Sequence, residues 1–504
     1  MKNKMTISTP FDQATGSGRL IKPSYFLLLA ILLTFSAWIL SITGLTGGIG
    51  LIAFPFMFGY LYLVFRKPIA GLYTSIVLGF TLLGAGRYIG DIPIGLAMDS
   101  MLILTYIALI FNKFRERVNW SPAKKDVMVL AAIWFGYTLF QLVNPEAQSF
   151  QAWFSGRGLG LYMMLLIPLT LLLVNSERKL DLIFLIWGAF SLLVTAKAIM
   201  QIKLGVDPWE RAWLDAGNAK THILFGKLRA FSFLSDAGQF GANQAYSAVV
   251  AFIVSLSQKK LHKRLFFLLV AGMALYGMFI SGTRGALSIP IAGFALFFLL
   301  RKNLAVMVTG FFILAAVFVF FKYTTIGQDN AQIRRMRTAF DPKDASLQVR
   351  LENQKILKTY LASRPFGGGI GHAGVKAQRY LPNAYLSSIP TDSGYVLIWA
   401  ETGIVGLILY LFVLLYVLVR SSHMIMYRIK DRALKLKFAA LASGMFGIMV
   451  ANYGNAVLSQ MPTSILIYIS MALLMNARAF ERKPEEINLT ENNKTNTIKQ
   501  INKT

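Results

Sequence analysis

The sequence predicts an all-α membrane protein, a polytopic bundle of about fourteen transmembrane helices with one large polar loop. Of its 504 residues, 55% are hydrophobic and only 15% are charged, and the mean hydropathy is +0.55. Apolar runs of roughly 20 residues, the length that crosses a bilayer as a helix, recur along the chain. A soluble chain of this length would divide into several domains with polar surfaces, and the composition excludes that class.

The predicted elements follow one another in a simple order. Residues 1–23 are a polar cytoplasmic segment without a cleavable signal peptide, because no small-residue cleavage site follows the first span. Residues 24–321 form a transmembrane bundle of about eleven spans, 322–393 the large loop, 394–476 about three more spans, and 477–504 a polar cytoplasmic tail expected to be disordered. The spans are predicted at 24–42, 49–65, 69–86, 94–112, 126–143, 159–174, 180–202, 237–257, 264–280, 285–300, 303–321, 394–418, 438–456 and 461–476.

The basic residues predict the orientation of the bundle. A net charge of +28 in a soluble protein would suggest a nucleic acid partner, but here most of the 51 Lys and Arg lie in alternate short loops and at both termini. Positive loops face the cytoplasm, so both termini are expected inside and the large loop outside. We therefore expect membrane lipids and no nucleic acid as partners. The absence of cysteine excludes disulfides, thiol catalysis and cysteine metal ligands.

Three outer segments carry the remaining polar chemistry: residues 144–157, 203–236 and the large loop. Within the loop an amphipathic basic helix is predicted from about Asp344 to Ser363, capped by Asp344 or Ser346. Two placements stay open. The helix either lies on headgroups or roofs a cavity, or it packs on the ends of the spans.

Four arginines on the outer side are candidate ligands for an anion. Arginine binds phosphate oxygens in pairs, and a charge at the mouth of a span is costly unless it is paired or lines a wet cavity. The alternative for each arginine is that its side chain snorkels, that is, it extends to the membrane interface only so that water solvates its charge. The third of them lies between two glycines that permit close approach of a ligand, which favours a binding role there; the four are Arg157, Arg229, Arg284 and Arg350.

The end of the large loop carries the candidate proton-transfer groups. Residues 369–374 match G-x-G-x-x-G, but neither a strand nor a βαβ unit surrounds them, so we expect a tight turn and no nucleotide cofactor. His372 in that turn is either a general base or a structural histidine, and Asp392 is either a base or a helix cap. Glu401 lies inside the span predicted at 394–418. A buried carboxylate there needs a partner, which the outer arginines could supply. No cluster has metal-ligand spacing, and no metal is expected.

Four stretches of the sequence resemble the O-antigen ligase and Wzy-type O-antigen polymerase family. They are RAFSFLSDAGQFGAN from Arg229, SGTRGALSIP from Ser281, QVRLENQKILKTYLASRPFGGGIG from Gln348 and DSGYVLIWAETGIVGLILYL from Asp392. Their order and spacing carry the likeness, which covers roughly residues 229–418. The resemblance implies a GT-C-like membrane glycosyltransferase of the bacterial inner membrane, with its site facing the periplasm.

The resemblance also implies a chemistry. A glycan linked to undecaprenyl pyrophosphate would pass with inversion to a hydroxyl of an acceptor, either a glycan or lipid A-core, without metal or nucleotide sugar. Arg229, Arg284, Arg157 and Arg350 would hold the pyrophosphate, and Glu401 would lie in the same site. Family ligases place a histidine where this chain has Asp392, so ligase and polymerase both stay open. Asp392 is the first candidate for the base and His372 the second.

A lipid-linked oligosaccharide flippase is the main alternative from the sequence. Such transporters can also have about fourteen spans, but a rocking transporter usually needs charges along a cavity at the membrane midplane. In this chain the charges are predicted to gather at one surface, with Lys197 taken as the exception within a span.

Overall fold

The structure is a computed structural model and describes residues 23–89, 95–112, 119–224, 226–340 and 345–481. These residues are almost entirely helical, as the apolar runs predict. Before the first strands the helices are α1 Pro23–Arg66, α2 Ile69–Ile89, α3 Gly95–Asn112, α4 Asp126–Phe140, α5 Phe150–Gly156, α6 Gly158–Leu173, α7 Glu177–Lys203, α8 Pro208–Trp213 and α9 Ala219–His222.

A short antiparallel hairpin follows, formed by β1 Ile223–Leu224 and β2 Lys227–Leu228. The remaining helices are α10 Ala237–Ser255, α11 Leu261–Ile280, α12 Ser288–Leu300, α13 Leu304–Tyr323, α14 Ala331–Arg337, α15 Ala345–Leu361, α16 Tyr385–Ser388, α17 Gly394–Tyr427, α18 Arg432–Ala451 and α19 Thr463–Met475. Single turns of 3-10 or π helix link several of them, among them Leu214–Asn218 after α8 and Arg284–Leu287 before α12.

The all-α membrane class is confirmed, but fourteen spans are not. Seven helices of the described residues are long and apolar enough to cross a bilayer, or eight if α5 and α6, bent by 41°, form one span. Five further apolar helices are shorter. Each predicted span contains a helix, but α12 and α19 have only 13 residues each, and the 19-residue helix α10 is not among the helices apolar enough to cross.

The described residues up to Arg66 form a unit of their own. Its helix α1 includes both of the first two predicted spans, and the break at Gly44 lies between them. There φ is +60°, a backbone conformation that glycine adopts without the penalty a side chain would bring.

The second unit comprises the described residues from Lys67 onward and packs around α10, α18 and α19, whose side chains are nearly all buried. Small residues let these helices approach closely. A Cβ atom at Gly444 of α18 would lie 2.3 Å from the ring of Tyr246 on α10, and one at Gly293 of α12 would lie 3.0 Å from the Ser443 carbonyl. This rigid centre supports the polar segments at one end of the bundle.

The large loop is partly helical, as predicted. The predicted amphipathic helix is α15, and Leu357 and Leu361 of its apolar face are buried against residues of the loop and of α17. Leu347 and Arg350 of the same helix lie on a cavity wall, so α15 both packs on a span and covers a cavity. Its predicted cap Asp344, the N-terminal segment 1–22 and the tail from residue 482 lie outside the described residues.

Candidate functional site

A single large cavity, with a volume of about 1420 Å³, brings together all three predicted outer segments of the second unit. Small-molecule sites in proteins are typically about 300–1,000 Å³, so this one has room for a larger ligand. Of the predicted site residues, six lie on its wall: Arg157, Arg229, Arg284, Arg350, Asp392 and Glu401.

Three arginines meet on one part of this wall. A Cβ atom at Gly282 would lie 3.4 Å from Cδ of Arg335 and 3.8 Å from Cγ of Arg229, and Arg284 follows two residues later. Burial, with the positive charges of Arg335 and Arg284, lowers the pKa of Arg229 to about 10. Arg229 therefore remains charged at neutral pH, and an anion between the three guanidinium groups would offset their mutual repulsion. We call Arg229, Arg284 and Arg335 the arginine cluster.

The members of the cluster are held by the protein in different ways. Arg229 donates hydrogen bonds from Nε to the Ser281 carbonyl at 3.1 Å, and from its two terminal nitrogens to the Thr221 carbonyl at 2.9 Å and the Thr283 hydroxyl at 3.0 Å. It therefore fastens the outer segment to the mouth of α12. Arg284 donates to the Thr338 hydroxyl at 3.0 Å and turns toward the large loop. Arg229 is the more structural of the two.

Arg157 lies at the bend between α5 and α6 and has a partner that the sequence analysis overlooked. Its Nε donates to Asp99 of α3 at 2.9 Å, and its guanidinium lies 4.0 Å from the centre of the Phe154 ring. Asp99 is buried, so it is a further charge within a predicted span besides Lys197. Because Asp99 already neutralises Arg157, a role in anion binding is weaker for this arginine than for the cluster.

The structure joins two of the predicted residues directly. Nε of Arg350 on α15 lies 3.4 Å from a carboxylate oxygen of Asp392, just before α17. The Asp392 side chain is 49% exposed, so its carboxylate is accessible from the cavity. The helix cap of α17 is the next residue, Ser393, whose hydroxyl accepts from the Val396 amide. Asp392 is thus left available for chemistry.

The glycine string forms the tight turn that the sequence predicts, and the turn fills a break in α17. At Gly403 the helix is interrupted, with φ +69°. The amides of Gly368 and Gly369 donate to the carbonyls of Ala400 and Glu401 at 2.9 and 2.8 Å, replacing the helical bonds lost at the break. A Cβ atom at Gly403 would lie 2.0 Å from the Pro365 carbonyl, so only glycine fits this crossing.

Glu401 is buried at this crossing, and its partner differs from the expected one. The backbone N–H groups of Gly371 and Ala373 lie against its carboxylate, and among the described residues it forms no ion pair with an arginine. The backbone N–H groups of the glycine turn are therefore directed at this side chain of the protein itself. Glu401 still lies on the cavity wall, in the helix that begins just after Asp392.

His372 is the one predicted site residue that is not on the cavity wall. It is buried, its Nε2 accepts from the Ser149 amide at 3.1 Å, and its Nδ1 lies 2.9 Å from the Ile370 carbonyl. Burial lowers the pKa of His372, which favours the neutral ring that these two bonds require. The geometry favours the structural interpretation of His372 and favours Asp392 as the base.

The outer segment that carries Arg229 is anchored by polar residues of α7. Lys197 lies 3.0 Å from Asp207 and 3.2 Å from Glu210, and Gln201 donates to Glu210 at 2.8 Å. The side-chain oxygen Oε1 of Gln201 also accepts hydrogen bonds from the backbone amides of Phe231 and Ser232. Lys197 is therefore an ion-pair anchor for the cavity wall rather than part of a midplane path.

The sequence analysis missed two further parts of the site. The first is Arg335, which lines the cavity. The sequence does not distinguish it from its neighbour Arg334, which is exposed on another face of α14. The segment between α18 and α19 also lines the cavity, whereas residues up to 456 were predicted as span. The polar run Asn452-Tyr453-Gly454-Asn455 was the available signal for a helix end.

Comparison with known proteins gives two matches. Residues 268–411 match the family model described as O-antigen ligase, a range that includes Arg284, Arg350, Asp392 and Glu401. A protein of Salmonella muenchen, named as an O-antigen polymerase, is 24% identical over 334 residues, covering 63% of this chain and 80% of that protein. Both matches agree with the resemblance carried by the sequence motifs.

Proposed function

We propose that this multi-pass membrane protein, which is similar to the O-antigen ligase and polymerase family, transfers a glycan from undecaprenyl pyrophosphate to an acceptor hydroxyl. The acceptor is a second glycan or lipid A-core, and the site faces the periplasm of a bacterial inner membrane. One observation carries this proposal. The arginine cluster and the Arg350–Asp392 pair lie on the wall of one cavity. The groups proposed to bind the anion and to act as the base can therefore contact the same ligand.

The arginine cluster is suited to the leaving group. As the bond between the anomeric carbon and the pyrophosphate oxygen breaks, negative charge develops on that oxygen. Fixed guanidinium groups at that point stabilise the transition state more than the ground state. In the proposed reaction Arg284 and Arg335 bind the pyrophosphate, while Arg229 holds the wall in place and adds its charge. The arginines supply the positive charge, so no metal is required.

Asp392 is suited to activate the acceptor. Its carboxylate takes the proton of the acceptor hydroxyl while the oxygen attacks the anomeric carbon from the side opposite the leaving group. The new glycosidic bond forms as the old bond breaks, and the configuration inverts. Arg350, at 3.4 Å from Asp392, orients the carboxylate. His372 is a second candidate only if Asp392 proves dispensable.

A flippase is the alternative, and the location of accumulated substrate separates the two functions. In cells that lack the gene, an enzyme acting outside leaves its lipid-linked glycan on the outer leaflet. Periodate, which does not cross the membrane, should then oxidise that glycan in spheroplasts. Inverted vesicles from the same cells are the matched control and should protect it. Protection in spheroplasts together with reaction in inverted vesicles would instead show a missing flippase.

A further inference from the structure

The segment between α18 and α19 forms an uncharged part of the cavity wall that the reaction above does not use. Seven of its residues line the cavity and none of them is charged: Tyr453, Gly454, Asn455, Ala456, Ser459, Gln460 and Met461. We call residues 453–460 the neutral wall. Its composition contrasts with the arginine cluster, so a different part of the ligand is expected to contact it.

One end of the neutral wall is tied to the carboxylate end of the site. The Asn452 carbonyl accepts from the Gly394 amide at 2.9 Å, two residues after Asp392. The Asn452 side-chain oxygen accepts from the amides of Val457 and Leu458, both at 3.1 Å, which folds the segment back on itself. The neutral wall is therefore held in a fixed position relative to Asp392.

The other end of the neutral wall reaches the arginine cluster. A Cβ atom at Gly238 would lie 2.5 Å from Nδ2 of Asn455 and 2.9 Å from a carboxylate oxygen of Asp236. Asp236 in turn is close enough to Arg229 to act on its charge. Asn455 is thus separated from the cluster by one residue, and the neutral wall bridges the two reacting ends of the site.

Three side chains of the neutral wall have hydrogen-bonding groups that the protein leaves available. Among the described residues, the side chains of Tyr453, Asn455 and Ser459 form no hydrogen bond, although neighbouring Gln460 is bonded to Ser235 at 2.8 Å. Tyr453 is 56% exposed, so its ring is open to contact with a ligand on this wall. An amide, two hydroxyls and an exposed aromatic face suit a neutral, hydroxyl-rich ring.

We propose that the neutral wall is the subsite for the first sugar of the donor glycan, the sugar that is attached directly to the pyrophosphate. Tyr453 packs its ring on the apolar face of that sugar, and Asn455 and Ser459 hydrogen bond its hydroxyls. The sugar then lies between the arginine cluster, which holds its leaving group, and Asp392, which activates the incoming hydroxyl. This inference rests on the proposed function and adds the position and the specificity determinants of the reacting sugar.

Two probes separate sugar binding from phosphate binding. The first is farnesyl pyrophosphate, which has no sugar, and the second is the repeat-unit oligosaccharide released from the lipid carrier by mild acid. Binding of each to the purified full-length protein is measured for Tyr453→Ala, Asn455→Ala and Arg284→Ala. Tyr276→Ala is the matched control, because Tyr276 is 45% exposed and lies away from the cavity. Thermal unfolding of each variant reports whether it is folded.

We expect Tyr453→Ala and Asn455→Ala to weaken oligosaccharide binding by roughly tenfold, the effect of losing one good polar or stacking contact, and to change farnesyl pyrophosphate binding by less than twofold. Arg284→Ala should show the opposite pattern, and Tyr453→Phe should keep most of the sugar affinity. Unchanged oligosaccharide binding in both wall variants, or equal loss of both probes in folded variants, overturns the subsite alone. A wild-type protein that binds neither probe overturns the proposed function as well.

Discussion

Replacing Arg284 with alanine should lower the rate of glycan transfer by about 10²–10³-fold, the usual effect of removing one fixed donor that stabilises developing charge. Arg284 lies on the cavity wall, beside Arg229 and Arg335. Its loss removes a guanidinium from the proposed pyrophosphate site, and substrate should accumulate. The measurement is the initial rate with purified protein and extracted lipid-linked glycan.

Two variants make this prediction specific. Arg284→Lys keeps the positive charge but loses the paired hydrogen bonds, so its rate should fall between those of the wild type and the alanine variant. Arg334→Ala is the matched control, because Arg334 lies next to Arg335 on α14, is exposed and does not line the cavity. Arg335→Ala, one residue further, should resemble Arg284→Ala. Normal transfer by a folded Arg284→Ala protein would rule out its role at the pyrophosphate.

Asp392→Asn should lower the turnover rate by about 10²–10⁴-fold, the range typical of a lost general base, with little effect on substrate affinity. An amide retains the size of the side chain but cannot take a proton from the acceptor hydroxyl. Asp392 is half exposed to the cavity, so the substitution creates no buried unpaired group. The turnover rate and the Michaelis constant are measured separately, since a binding role would change the second and a base role the first.

Asp329→Asn is the control for Asp392→Asn, because Asp329 is an exposed acid of the same loop away from the cavity. His372→Gln tests the second candidate. Both ring nitrogens of His372 already bond to backbone groups, so we expect this variant to lose thermal stability rather than turnover per folded molecule. Retained activity in Asp392→Asn together with loss in folded His372→Gln would reverse the assignment of the base.

The sequence predicted the helical segments and the set of outer arginines because both depend on local signals. Apolar length predicts a helix wherever the chain must satisfy its backbone groups in lipid. Charge on the outer side of the bundle identified four arginines that all line the cavity: Arg157, Arg229, Arg284 and Arg350. The number of crossings did not follow, because α12 and α19 are apolar yet short, whereas α10 is long enough but carries polar residues in its first half.

The roles within the site depended on contacts between residues far apart in the chain. The sequence shows Arg157 only as a cation on the outer side. The structure identifies its partner as Asp99, 58 positions earlier in the chain. His372 and Asp392 were both plausible bases, and only their surroundings separate them: one is enclosed by backbone, the other opens to a cavity. Helical periodicity could not distinguish Arg335 from Arg334 without knowing which face of α14 meets the bundle.

The most direct test of the account is whether the purified protein, in nanodiscs with lipid-linked glycan and acceptor, releases undecaprenyl pyrophosphate as it forms glycosidic bonds. The reaction is run with a chelator and without nucleotides. We predict that release and bond formation occur in equal amounts and that both are lost together in Arg284→Ala. Glycan that crosses the bilayer with no release of the carrier, or turnover that strictly requires a metal ion or a nucleotide, would contradict a site built on arginines and Asp392.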